Sequence, residues 1–151
     1  MNIPLRNSLT VLLLAAASTG ALAEQNKVAS PDGRLVVNVE DHDGRLYYDI
    51  SYDSRQMMQP SQLGLIANIG DFSQGLTYRY VSNRQIADDY CLHNAKASAI
   101  RYRANQMSVV YENEDRLPVS VTFNVSDNDV AFRYEFGEVN DRTHIIIDEE
   151  K

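Results

Sequence analysis

Cys91 and His93 stand two residues apart, and a thiolate nucleophile needs a base within hydrogen-bond reach. On a strand that spacing points both side chains to one face, so the pair can touch. Ordinary packing accounts for the same residues as a small buried thiol beside an edge histidine, since free cysteine mostly behaves as a small hydrophobe. No G-x-S-x-G elbow is present, and nucleophilic catalysis has no other support. His42 lies between Asp41 and Asp43, but neighbours in a strand or turn rarely converge on one ion. Asp127 and Asp129 open like a calcium loop with Glu138 at its twelfth position, yet Phe132 occupies the place of the obligatory glycine. That segment reads as a turn followed by a strand.

Paired carboxylates are the tools of glycosidases, where separations of roughly 5–9.5 Å decide between retention and inversion. Asp88-Asp89, Glu112, Glu114-Asp115 and Asp148-Glu149-Glu150 are the available groups. They fall in polar turns, at strand ends or at the terminus, where solvated charge is the default. Asn124-Val125-Ser126 forms a glycosylation sequon, but inside an expected strand. No catalytic, cofactor-binding or metal-ligating residue is assigned.

The elements that would position such groups are strands. Leu35, Val37 and Val39 alternate with Val36, Asn38 and Glu40 after the turn Ser30-Pro31-Asp32-Gly33. His42-Asp43-Gly44 turns the chain into Leu46, Tyr48, Ile50 and Tyr52, which predicts a hairpin with one buried face. Val119, Val121, Phe123 and Val125 repeat the pattern. Ser126 to Asp129 turns into Val130, Phe132, Tyr134 and Phe136. Period two fits these runs better than helical spacing. Ala97 to Arg103 and Gln106 to Glu112 are expected to form a strand pair turned around Ala104-Asn105. Leu76 to Val81, Tyr90 to His93 and Thr143 to Ile147 are weaker strands, and Arg84 to Asp89 is the single stretch read as a short helical turn. The fold class is therefore all-β, a β-sandwich.

Residues 1–23 read as a cleavable signal peptide. Arg6 precedes the apolar run Leu9 to Ala17, and Ala21-Leu22-Ala23 offers the small-x-small site before Glu24. The run is shorter than the roughly 20 residues that span a bilayer. Residues 24–151 are then an exported domain, periplasmic or secreted, with no membrane association after cleavage. Its single cysteine can form no disulfide within the chain, so stability rests on the core. The formal charge of −7, with basic residues scattered and Arg101-Tyr102-Arg103 the densest group, excludes a nucleic-acid partner.

Ser30-Pro31-Asp32-Gly33, Gly44-Arg45-Leu46-Tyr47-Tyr48-Asp49-Ile50, Ser61-Gln62-Leu63-Gly64-Leu65 and Asp129-Val130-Ala131-Phe132-Arg133-Tyr134-Glu135-Phe136 occur in the order of the landmarks of one family. With them the mature chain resembles the N-terminal domain of glycoside hydrolase family 97, whose V-A-F-R-Y strand the last segment matches. Asp129 stands where the family usually has glycine. The resemblance implies an incomplete β-super-sandwich, placed before a catalytic (β/α)₈ barrel in a calcium-dependent enzyme acting on α-glucosides or α-galactosides. The family's catalytic carboxylates and calcium ligands lie beyond the matched region, so no cofactor is expected in this chain and it is expected to be inactive alone. Lys151 falls near the middle of the family domain, which predicts unpaired sheet edges. The expected role is a non-catalytic domain or fragment of an exported α-glycosidase. The alternatives are a sugar-binding module using Tyr78, Tyr80 and Tyr102 as a stacking platform, and an exported protein that pairs an open edge with another chain.

Overall fold

The computed structural model describes residues 26–91, 99–137 and 144–151; the expected leader, residues 1–23, lies outside them. Eleven strands make three antiparallel sheets. The first sheet has the order β1-β2-β3-β4, from β1 (Lys27–Ala29), β2 (Leu35–His42), β3 (Arg45–Tyr52) and β4 (Arg55–Leu63). The second has the order β10-β9-β8-β7, from β7 (Thr77–Cys91), β8 (Ala99–Glu112), β9 (Pro118–Ser126) and β10 (Val130–Phe136). A small third sheet, ordered β11-β5-β6, joins β5 (Leu65–Ala67) and β6 (Gly70–Asp71) to β11 (Ile147–Glu150). Among the described residues no helix is long and apolar enough to cross a membrane.

The predicted hairpin forms, with His42 opposite Arg45 and Val39 opposite Tyr48. Asp43 and Gly44 both take positive φ, 53° and 77°, the primed turn that matches strand twist. A Cβ on Gly44 would also sit 2.9 Å from the Leu76 amide nitrogen, so glycine is required twice over. Val37, Val39, Leu46 and Leu63 of the first sheet pack into one core with Met107, Val109, Val121, Phe123 and Val125 of the second. Tyr48 crosses between the sheets, its ring 5.6 Å from Phe123 and 5.5 Å from Phe132. Apolar side chains from both inner faces thus leave water together, the main favourable term in folding.

The turn at Asp129 closes without a left-handed residue there. Ser126 donates its amide to the Asp129 carbonyl, and the Ser126 hydroxyl accepts the amides of Asn128 and Asp129. A serine supplies what a glycine would otherwise be needed for.

Two expectations are corrected. Arg84 to Asp89 is not helical but lies inside β7, bonded residue by residue to β8 from Arg84–Gln106 to Asp89–Arg101. Ala104-Asn105 is not a turn: Ala104 is 1% exposed in the middle of β8, between Ile86 of β7 and Ser126 of β9. Ala97 to Glu112 is therefore not a hairpin, and its described part is one strand whose partners lie on either side. Ladder bonds to both neighbours satisfy the backbone that a turn would have left open. Strand β11 starts at Ile147. His144 to Ile146 run irregularly before it, held by Asn68, whose side chain donates to the His144 carbonyl and accepts the Ile146 amide, both at 2.9 Å. His93, Thr143 and Glu138 lie outside the described residues.

Candidate functional site

Strand β7 contains a bulge. Tyr78 faces Tyr111 across the ladder, but Tyr80 faces Val110, so two residues of β7 advance against one of β8. The slip reverses the sidedness that period two predicts. Tyr78 points into the sandwich, its ring edge-on to Tyr111 at 5.6 Å. Tyr80 points outward and is 58% exposed. Tyr102 pairs with Asp88 farther along the same two strands. The three tyrosines therefore do not share one platform.

The bulge adds Tyr80 to the outer face of the second sheet, and the registers define that face row by row. Tyr80, Val110, Ser120 and Glu135 form one row; Ser82, Ser108, Thr122 and Arg133 the next; Arg84, Gln106, Asn124 and Ala131 the third. Apart from Val110 the side chains of the two inner strands on this face are polar, and Gln106 and Thr122 are buried, 5% and 1% exposed. Gln106 donates to the Asn124 side-chain carbonyl at 2.6 Å, and the Ser108 and Thr122 hydroxyls lie 2.8 Å apart. Longer side chains border them: Tyr80 and Arg84 on β7, Arg133 and Glu135 on β10. Thr122 donates to Glu135 at 2.8 Å, and Arg133 lies 3.1 Å from it. These contacts hold the Glu135 carboxyl below the usual range, with the Thr122 hydrogen bond the largest cause and Arg84 contributing from the far border. The face is a shallow polar trough about 14 Å across, taking strands to lie roughly 4.8 Å apart. On the opposite, inner side of the sheet a groove of about 550 Å³ lies between β1 and the β7–β8 pair, lined by Lys27, Asn83, Gln85 and Asn105 among others.

A second polar region surrounds Asp71. Its carboxylate accepts the Ser73 amide at 2.8 Å and hydroxyl at 2.6 Å, and the Gln74 amide at 3.2 Å. Burial works against the charge, but these bonds and Lys151 outweigh it, and the Asp71 pKa is lowered. Asp71, Gln74, Asn113, Glu114 and Asp115 line a cavity of about 100 Å³, smaller than the roughly 300 Å³ at which ligand pockets begin.

Three of the remaining candidate carboxylates are ion-paired. Asp89 pairs with Arg103 at 2.8 Å on β7, Glu112 pairs with Arg79, and Glu149 pairs with Lys151. Asp88 and Asp89 lie within a strand rather than a turn, and Asp148 to Glu150 form part of β11. A glycosidase acid needs a carboxyl raised toward neutrality. Asp32, Asp53, Asp71 and Glu135, the described carboxylates with a resolved shift, are all lowered. Cys91 is exposed, which corrects the expectation of a buried thiol. Asn124 of the sequon is tied to Gln106 inside β9. Asp127 accepts the Asp32 amide at 2.9 Å, joining two turns. Among the described residues no group of three or more His, Cys, Asp and Glu is arranged to hold a metal ion.

Fold and surface together define, among the described residues, an antiparallel β-module of three sheets with a largely polar outer face on the second. The chain belongs to the Glycosyl-hydrolase 97 N-terminal family, whose profile matches residues 28–151. No curated protein matches it. Among solved structures it is similar to a β-arabinopyranosidase, with a TM-score of 0.77 and 35% identity over 82% of this chain and 20% of that one. It is also similar to a glycoside hydrolase family 97 enzyme in complex with acarbose from Pseudoalteromonas sp. strain K8, with a TM-score of 0.74 and 23% identity over 82% of this chain and 19% of that one. The chain thus spans about a fifth of the length of the enzymes it matches.

Proposed function

We propose that this chain is the non-catalytic N-terminal domain of an exported α-glycosidase, with hydrolysis performed by a (β/α)₈ barrel elsewhere in the enzyme. The carrying observation is the family match over residues 28–151 in a chain that spans about a fifth of the enzymes it resembles. Within the α-glucoside and α-galactoside range, the 35% identity to a β-arabinopyranosidase favours the second. Of the two enantiomers, a β-arabinopyranoside of the L series has the ring stereochemistry of an α-D-galactopyranoside without its exocyclic hydroxymethyl group.

The test grafts residues 28–151 onto the β-arabinopyranosidase in place of the matching segment. The chain alone and the chimera are assayed with nitrophenyl α-glucoside, α-galactoside and β-L-arabinopyranoside. No turnover by the chain and restored turnover by the chimera are expected. Turnover by the chain alone, or a folded chimera without activity, would overturn the reading.

A further inference from the structure

We propose that strand β7 pairs edge to edge with β7 of a second copy, forming a two-fold dimer centred on Ile86. Strand β7 is the last of its sheet, runs for 15 residues and contains no proline. Among the described residues no strand bonds to its far edge. The first sheet ends at β1, tied to β8 by the Asn105 side chain, which donates to the Ala29 carbonyl at 2.8 Å. Strand β9 stops at Ser126, opposite Ala104. Beyond that point β7 and β8 run on as a ribbon of two strands, from Ala87–Arg103 to Cys91–Ala99. Such a ribbon is marginal in water without a third strand.

Hydrogen bonding fixes which residues this edge offers. The Gly137 amide donates to the Pro118 carbonyl and the Ser126 amide to the Asp129 carbonyl, so even-numbered residues of β9 face β10. Unbroken registers carry the alternation through β8 into β7 past its bulge, where even-numbered residues bond to β8. Odd-numbered residues from Val81 to Cys91 therefore hold amide and carbonyl on the free side. A second β7 must meet them with odd-numbered residues of its own.

Charge then selects the register. Arg84, Ile86 and Asp88 stand in line on the outer face, with Arg84 and Asp88 exposed. Among the described residues neither charged side chain has an ion pair or hydrogen bond. Centring the pair on Arg84 sets guanidinium against guanidinium, and centring it on Asp88 sets carboxylate against carboxylate. Centring on Gln85 or Ala87 leaves both charges opposite uncharged residues. Centred on Ile86, Arg84 of each copy faces Asp88 of the other, with the two Ile86 side chains between the pairs. These are non-hydrogen-bonded positions, where Cα atoms approach to about 4.5 Å and cross-strand side chains interact best. On the inner face Asn83 meets Asp89 and Gln85 meets Ala87. Each ribbon thereby gains a third strand from residues Val81 to Gln85 of the other copy. The interface is isologous and closes on itself, so it stops at two copies.

The experiment is sedimentation equilibrium of the chain up to about 1 mM, a range that reveals even weak association, with Arg84→Glu and Asp88→Arg made singly. A monomer–dimer equilibrium is expected, weakened about tenfold or more in either variant, since each reversal turns two attractive pairs repulsive. Mixing the two variants should restore the dimer, because the reversed positions then face each other and the unreversed ones do the same. Amide exchange on the parent chain reads the interface without mutation, slowing at Asn83, Gln85, Ala87 and Asp89 as concentration rises. A parent that stays monomeric would overturn the proposal. So would folded variants that dimerise like the parent, a mixture that stays monomeric, or growth beyond two copies.

Discussion

The Tyr134 hydroxyl accepts the amide of Gly64 at 3.0 Å, across 70 positions of sequence. Strand β10 of the second sheet is thereby fixed to the junction of β4 and β5. The same junction holds the end of the chain, because the Lys151 amide donates to the Gly64 carbonyl.

Removing the Tyr134 hydroxyl leaves the Gly64 amide without that partner in a buried site. Tyr134→Phe should therefore cost about 1–3 kcal/mol, read as a lower urea midpoint. Tyr111→Phe is the control with the opposite expectation. Tyr111 is fully buried and its hydroxyl has no hydrogen-bond partner among the described residues. Deleting an unsatisfied group should be neutral or stabilising, by up to about 1 kcal/mol. A loss of stability in Tyr111→Phe as large as in Tyr134→Phe would contradict the hydrogen-bond assignment.

Gly64 has φ of 150°, and a Cβ there would meet the Ser73 Cα at 2.6 Å. The Ser73 Cα and the Phe72 carbonyl oxygen, 3.1 Å away, are backbone atoms and cannot yield cheaply. Gly64→Ala should destabilise by at least about 2 kcal/mol, by thermal melting.

Ser30 is 2% exposed, and its hydroxyl donates to Asp32 at 2.6 Å while accepting the Leu35 amide at 3.0 Å. Ser30→Ala should cost about 1–2 kcal/mol by loosening the entry to β2. The loss should appear as faster amide exchange at Leu35.

Stability should be greatest between about pH 4.5 and 10, set by the unfolded-state carboxyl and phenol values. Asp32, Asp53, Asp71 and Glu135 all have folded values below their unfolded ones. Their contribution is complete above the unfolded value and is lost as pH falls through the folded one. Burial pushes Tyr111 and Tyr134 up, the latter to about 12. Their contribution is complete below the unfolded value and is lost as pH rises through the folded one. Urea midpoints at pH 3, 7 and 11 should be highest at pH 7.

The hairpin of β2 and β3 and the inward set of β9 and β10 were legible because one face of each meets the core, which imposes period two on the residues. Arg84 to Asp89 carries no such period because this half of β7 bonds only to β8 and is largely solvated. Its strand state comes from the partner, not from its own residues. The bulge at Tyr80 left no mark either: Tyr78, Tyr80 and Val81 read as ordinary strand residues in any register. The trough was missed for a related reason. Ser108, Thr122, Gln106 and Asn124 belong to the polar faces of their strands, and only the registers place them side by side.

Pro60 lies in β4, the outermost strand of its sheet, where the ladder slips between Tyr48 and Ile50. A proline offers no amide proton, and a kinked rim gives an incoming strand no straight template. Polymerisation by lateral stacking of copies is thus blocked along this border. The safeguard is built into the covalent chain, so it persists at any concentration, salt or pH at which the sandwich stays folded.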